Sequence, residues 1–286
     1  MIDNALLVSL RAIAREDQIL LDEPMSRHTT FRVGGPADVF FMPESAEQLT
    51  GAIESAEAGG IRGLVIALGE GMAAIARVEN VITAWAGASL ARVAAYAQAA
   101  GLSGLEFASG IPGTLGGGCA MNAGAYGGQL SDVLIDAEVY IDGEVRTLTR
   151  DDMQMGYRTT RPLREGGVVL SARFALRPDD PEAIAARMRE LNARRRDKQP
   201  LNYPSAGSTF KRPEGHFAGA LIEAAGLKGR SVKGAQVSEK HAGFIVKPGE
   251  ATAADIIELI RIVQDEVRAH AGVALEPEVR IIGEDQ

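Results

Sequence analysis

Residues 101–128, GLSGLEFASGIPGTLGGGCAMNAGAYGG, hold ten of the 33 glycines in the chain. Leu105, Phe107, Ile111, Leu115, Met121 and Tyr126 are interleaved with them, a pattern foreign to flexible linkers. Glycine among apolar residues marks backbone that bends tightly or approaches something closely. The N–H groups of such a loop can cradle a phosphate or the edge of a planar cofactor. A packed turn without a ligand has the same composition. Three further strings carry polar groups suited to chemistry: Gly156-Tyr157-Arg158, the run from Gln199 to Lys211 (QPLNYPSAGSTFK), and Leu275-Glu276-Pro277-Glu278-Val279-Arg280. Taken singly, each has a plainer reading. An isolated arginine such as Arg158 usually forms a structural ion pair, and a serine after glycine, such as Ser208, usually bonds its own turn. Period-two alternation over Leu275–Ile282 puts Val279 and Ile281 on one strand face and Glu278 with Arg280 on the other. A surface pair of that kind contributes little.

Leu64–Leu68 followed by Gly69-Glu70-Gly71-Met72-Ala73-Ala74 comes close to a dinucleotide fingerprint. Glu70 would face the pyrophosphate, and the residues before the next strand are too few for a crossover helix, which rejects the match. Four histidines without an H-x-x-x-H pair, and one cysteine, give a transition-metal site little support. Cys119 reads as a small packed side chain, and His241 as a packed, hydrogen-bonded histidine.

The elements that must position these strings follow from periodicity and caps. Residues 1–16 predict an amphipathic helix with Leu6, Leu7, Leu10 and Ile13 on one face. Thr29–Met42 predicts two short strands around Gly34-Gly35-Pro36. Ser45 and Gln48 form a capping-box pattern for a helix lined by Leu49 and Ile53 and ended by Gly59-Gly60. Leu64–Leu68 reads as a buried strand, Val81–Trp85 as another, and Ser89 as the cap of a helix burying Leu90, Val93 and Ala97. Ala137–Leu148 is a hairpin pattern turning at Asp142-Gly143, and Val168–Leu176 a further strand. Asp180-Pro181 opens a helix with Ile184, Met188 and Leu191 inward. Arg187, Arg189, Arg194, Arg195 and Arg196 then form mostly a solvated face, with Arg194 a candidate to turn inward. Thr252, with Asp255 at the third position, opens a last helix burying Ile256, Leu259, Ile260, Val263 and Val267. Arg177–Pro181 is the best linker, and the mixture is α+β with a boundary near 177–181.

A length of 286 residues predicts about two domains. A net charge of −8 argues against a general nucleic-acid coat. One cysteine excludes an internal disulfide. No apolar run reaches the ~18 residues of a membrane helix, and acidic residues flank the apolar stretch at the N-terminus, unlike a signal peptide. A cytoplasmic protein is expected.

In order and combination the four strings resemble the UDP-N-acetylenolpyruvoylglucosamine reductase family, flavoenzymes of peptidoglycan precursor synthesis, from Thr29 to Gly283. AGASL (86–90), HFAGALIEAAGLKG (216–229), AQVSEKHAGFIV (235–246) and ATAADIIELI (251–260) match as well. The absence of a large insertion after Tyr157-Arg158 resembles the family's shorter second type. The resemblance implies a two-lobed FAD-binding region of the PCMH/vanillyl-alcohol-oxidase-like kind over 1–177, with lobes of about 1–60 and 61–177. A separate α+β substrate-binding domain follows over 178–286. It implies FAD held by Gly110, Ile111, Pro112, Gly113, Thr114, Gly117, Asn122, Ala123, Gly124 and Tyr157, NADPH as hydride donor, and a UDP-sugar enolpyruvyl ether as substrate. A monomer with no nucleic-acid or membrane partner is expected.

On the same resemblance Arg158, Ser208 and Glu278 are catalytic. Arg158 would bind the substrate carboxylate in a planar fork and stabilise developing charge. Ser208 would donate the proton, and Glu278 would relay a proton or hold the enol, in preference to nearby Glu276. Tyr203, Lys211 and Arg212 would meet the diphosphate. Family members carry a second glycine-rich loop, of the Gly-Ser-Asn-Leu-Leu kind, before the strand at Gly63–Leu68. Here Ala58-Gly59-Gly60-Ile61-Arg62-Gly63 leads straight into that strand. Thr159-Thr160, Lys233, Gly243 and Lys247 are smaller departures. Two other readings follow: a catalytically silent, flavin-poor UDP-sugar-binding paralogue, and another flavin oxidase of the same superfamily. The Ser208 and Glu278 strings oppose the oxidase, which needs no such proton donor.

Overall fold

A computed structural model describes residues 4–60 and 63–283. The chain divides into two compact units. The first takes the residues up to Leu21 and Asp38–Arg194; the second takes Asp22–Ala37 and the residues from Arg195 onward.

In the first unit, helix α1 (Asn4–Ile13) buries Leu6, Leu7 and Leu10, while Ile13 ends it in an exposed position. Helix α2 (Ala46–Gly59) starts at Ser45, whose Oγ accepts the Gln48 N–H at 3.3 Å, and stops at Gly60 in the left-handed region. The Gln48 side chain accepts the Glu44 N–H and donates to the Ile13 carbonyl. It therefore ties α2 to α1 instead of closing the expected capping box. Leu10, Val39, Phe41 and Ala52 pack these helices on a sheet of Ile19–Pro24, Pro36–Phe41 and Leu64–Ile66.

That sheet corrects three expectations. Ile19–Pro24 is a strand that the sequence does not announce, because its burial follows no clean alternation. Thr29–Met42 gives one strand instead of two, since Thr29 Oγ1 bonds the Val33 carbonyl at 2.7 Å and holds 29–35 as a turn. Leu64–Ile66 is half-buried and pairs in parallel with Pro36–Phe41, Leu64 opposite Val39. The strand thus belongs to the sheet of the first lobe, beyond the expected lobe limit at 60. Ile61 and Arg62 lie outside the described residues.

The remainder of the first unit is a five-stranded antiparallel sheet in the order Glu144–Thr149, Leu134–Ile141, Val168–Ala175, Val81–Trp85 and Ile75–Val78. Asp142 and Gly143 turn the first hairpin at φ 54° and 76°, as that turn type demands. Helices α3 (Leu90–Ala99), capped by Ser89, and α4 (Leu115–Ala120) complete the core with Ile82, Leu90, Leu115, Leu130, Val139 and Phe174. Full burial of such side chains stabilises by roughly 1.5–3 kcal/mol each. Gly69-Glu70-Gly71 forms a single tight turn before Ile75–Val78, with Glu70 paired to Arg92 at 2.7 Å.

Short helix α5 (Arg161–Glu165) precedes the long α6 (Pro181–Lys198). The segment before α6 is no loose joint. Arg177 and Pro178 pair with Ser103 and Leu102, and Asp179 N–H donates to the Gly101 carbonyl. Arg187 bonds Glu106 at 2.8 Å and Asp179 at 2.5 Å. Burial opposes the Glu106 charge. Arg187, the Gly104 N–H and Ser103 still bring its carboxyl below the ordinary range. These bonds keep the start of α6 in the first unit, so the division falls inside α6, after Arg194, and not at 177/178. They also pair Arg187 with two carboxylates while leaving its side chain partly exposed. Arg194 stays on it, paired with Glu190.

The second unit gathers Phe31, Phe210, Ile222, Val237, Ile245, Leu259, Val263 and Leu275. They come from helix α7 (Ala218–Ala224), helix α8 (Ala253–Ala271), a small sheet of Ser231–Val232, Ala235–Val237 and Ile245–Val246, and the flanking loops. Helix α8 has a full capping box: Thr252 Oγ1 accepts the Asp255 N–H, and Asp255 Oδ2 accepts the Thr252 N–H. Lys233 Nζ stands 2.8 Å from Asp255 Oδ1. Lys233 first, then the Thr252 N–H and hydroxyl, pull the Asp255 carboxyl down to about 2, against about 3.9 for an unfolded chain. A depressed folded value stabilises fully above the unfolded one and is lost as pH falls through the folded one. Asp255→Asn therefore lowers the urea midpoint at pH 6, and its gap from the wild type closes between pH 4 and 2. An equal gap at both pH values removes the linkage.

Candidate active site

Two demands account for the glycines of 101–128. A Cβ on Gly116 would stand 2.8 Å from Ala86 Cβ, and one on Gly118 3.0 Å from Leu90; these let α4 lie against the sheet and α3. Gly113 and Gly117 differ. A Cβ on Gly113 would meet nothing within 4 Å, and one on Gly117 only Thr114 Oγ1 at 3.7 Å. Gly113 also holds φ 116°, which side chains disfavour. The Leu115 and Gly116 N–H groups are taken by the Ala88 and Ala86 carbonyls at 2.7 and 2.9 Å. The Thr114 hydroxyl does not cap α4. An open backbone face over Pro112-Gly113-Thr114 and Gly117 results, of the kind a flat or anionic group can approach.

Downstream, the segment serves the fold. Asn122 is buried at φ 44° and uses both ends of its amide. Its Nδ2 donates to the Gly156 carbonyl at 3.2 Å, and its Oδ1 accepts the Ser131 N–H at 3.0 Å. Ala123 N–H donates to the Gly118 carbonyl, and Gly124 leaves room for the Gly128 carbonyl. Asn122, Ala123 and Gly124, three of the ten residues expected to hold the cofactor, thus also make contacts within the fold. Cys119 is fully buried, and burial pushes its thiol up to about 12, so it is packing and no nucleophile.

Tyr157 and Arg158 form the tip of a tight turn closed by the Gly156 N–H on the Thr159 carbonyl at 2.9 Å. Arg158 holds φ 55°, and its guanidinium lies 5.3 Å from the Tyr157 ring centre. The ring is largely exposed and the arginine half-buried.

In the second unit the strings around Ser208 and Glu278 run side by side. Glu278 N–H donates to the Thr209 carbonyl at 2.8 Å, Phe210 bridges Pro277, and Lys211 N–H donates to the Glu276 carbonyl at 2.9 Å. Residues 275–282 form only this bridge, not the strand their alternation suggests, and Ile281 is exposed. Fully buried Thr209 sets the register: its N–H donates to the Gly243 carbonyl and its hydroxyl accepts the Ile245 N–H. Sequence reasoning misses Thr209, whose only signal is a polar residue between Ser208 and Phe210 in a candidate string. Ser208 is left exposed after Gly207 at φ 81°. Glu276 pairs with Lys211. Arg212 stacks its guanidinium 4.0 Å from the centre of the exposed Phe217 ring, and Tyr203 is exposed. His241 is packed as expected: its Nδ1 accepts the Gly243 N–H at 3.1 Å, Phe244 meets its ring edge-on, and burial lowers its pKa.

The UDP-N-acetylenolpyruvoylglucosamine reductase of Agathobacter rectalis is 52% identical over 297 positions, covering 93% of this chain and 94% of its own. This chain belongs to the UDP-N-acetylenolpyruvoylglucosamine reductase family. The reductase of Levilactobacillus brevis is 48% identical and covers 94% of each chain. The solved reductase of Thermus caldophilus superposes with a TM-score of 0.79 at 34% identity, covering 93% of this chain and 98% of that one. An FAD binding domain matches residues 50–149, and the reductase C-terminal domain matches 199–282. The first holds the open glycines and the second Ser208 and Glu278; Arg158 falls between them. The 297 aligned positions exceed the 286 residues of this chain, so the Agathobacter reductase carries residues that this one lacks. The open face at Gly113 and Gly117 fits an FAD group in this fold.

Proposed function

We propose that this chain reduces the enolpyruvyl ether of UDP-N-acetylglucosamine to UDP-N-acetylmuramate, a step of peptidoglycan precursor synthesis, as an FAD-containing, NADPH-dependent oxidoreductase. The observation that carries the reading is identity of 52% over an alignment that covers 93% of this chain and 94% of its relative. FAD, when bound, supplies hydride that originates from NADPH. Gly110, Ile111, Pro112, Gly113, Thr114, Gly117 and Tyr157 are the residues we assign to holding it.

The other residues act on the substrate. Hydride arrives at the terminal carbon of the enolpyruvyl group, and negative charge spreads onto the adjacent carbon and its carboxylate. Arg158 binds that carboxylate through two parallel N–H donors and stabilises the charge. The Ser208 hydroxyl gives its proton to the adjacent carbon, completing the lactyl ether. Glu278, next to Thr209 on the paired segment, relays the proton that restores the serine or holds the enol. Lys211, Arg212 and Tyr203 meet the diphosphate. We place the protein in the cytoplasm as a monomer; no helix among the described residues is long and apolar enough to cross a membrane.

One observation favours a second reading, a flavin-poor UDP-sugar-binding protein: the chain runs directly from α2 to its next strand and is shorter than its alignment. Titration of the purified protein with FAD decides between them. The expected result is flavin absorbance that stays with the protein on gel filtration, with NADPH consumed only when the enolpyruvyl sugar is added. Flavin that elutes freely selects the binding protein, and NADPH consumption without that sugar selects an oxidase.

A further inference from the structure

The turn that presents Arg158 is held from outside itself. Arg158 sits at φ 55°, a conformation that non-glycine residues keep only where neighbours over-determine it. Those neighbours are hydrogen bonds to the end of α4 and the residues just after it. Thr160 is fully buried. Its Oγ1 donates to the Ala120 carbonyl at 2.8 Å and accepts the Leu163 N–H at 3.3 Å. On the other side of the turn, Asn122 Nδ2 donates to the Gly156 carbonyl. The Arg161 N–H closes the base on the Met153 carbonyl at 2.8 Å. Gly156 to Thr160 is thus tied at both ends to the segment whose open face lies at Gly113 and Gly117.

We infer that Thr160 is a positioning residue: its hydroxyl locks the Tyr157–Arg158 turn to the end of α4 and so fixes the orientation of the guanidinium. This rests on the reading that Arg158 binds the substrate carboxylate. Valine at 160 keeps the shape of threonine and removes the hydroxyl, leaving the Ala120 carbonyl and the Leu163 N–H without it. Serine keeps the hydroxyl.

The test compares Thr160→Val, Thr160→Ser and Arg158→Lys with the wild-type holoenzyme. Thr160→Val raises the KM for the enolpyruvyl substrate at least tenfold, keeps flavin reduction by NADPH within about twofold, and speeds deuterium exchange at amides 156–159. Thr160→Ser stays within about twofold of wild type in all three. A Thr160→Val protein with unchanged KM and unchanged exchange overturns the inference. So does one in which both half-reactions slow equally while the turn stays protected. If Arg158→Lys is impaired and Thr160→Val is not, the positioning role alone falls. If Arg158→Lys turns over normally, the reading of Arg158 falls and the positioning role with it. Should Thr160→Val not fold, Asn122→Asp, which removes the donor to Gly156 and keeps the acceptor for Ser131, is read by the same KM and exchange measurements.

Discussion

Ser208→Ala leaves reduction of the bound flavin by NADPH within about twofold of wild type and slows reduction of the enolpyruvyl substrate by roughly 10²–10⁴-fold, the range of a lost general acid. The separation follows from where the proton goes. In the proposed mechanism hydride transfer from NADPH needs no protein hydroxyl, whereas the substrate carbon stays a carbanion equivalent until a proton reaches it. Ser208 is exposed and follows a left-handed glycine, so truncation removes a hydroxyl without opening a cavity, and stability changes little. Stopped-flow traces of the two half-reactions are the measurement. Equal loss in both would refute the assignment of Ser208 as donor.

Arg158→Lys costs roughly 10²-fold in kcat/KM, although charge is kept. An ammonium is a point charge on a flexible stem, while the guanidinium presents two parallel donors to a carboxylate. The guanidinium here also lies near the Tyr157 ring, a contact that favours a planar cation. Steady-state kinetics with varied enolpyruvyl substrate check this, with the loss expected in both kcat and KM. Turnover near the wild-type value would remove Arg158 from the mechanism.

What the sequence makes legible here is local. Ser45, Ser89 and Thr252 each sit one residue before a helix and accept the N–H three residues on. Asp142-Gly143 turns the hairpin that its two residue types demand. Ser208 and Glu278 are recognisable through the company their strings keep. Contacts across the fold are not written in this way. Arg187 looks like one of five solvated arginines until Glu106, 81 positions away, is found beneath it. Thr160 finds the Ala120 carbonyl 40 positions away. The alternation of Leu275–Ile282 is real, but a strand needs a neighbour to bond, and the Phe210 segment supplies one bridge. The glycine string shows the same limit: composition marks it as special, yet only the positions of Ala86, Leu90 and Gly128 separate the glycines that packing requires from those that face open space.

The passage of Asp22–Ala37 into the second unit bears on how the polypeptide is made. Phe31 leaves the ribosome early, but the side chains that share its core, among them Ile222, Leu259 and Val263, are translated some two hundred residues later. The nascent protein must therefore carry an uncovered aromatic ring through most of its own synthesis, and a fragment cut anywhere between the two pieces leaves that core without one of its members.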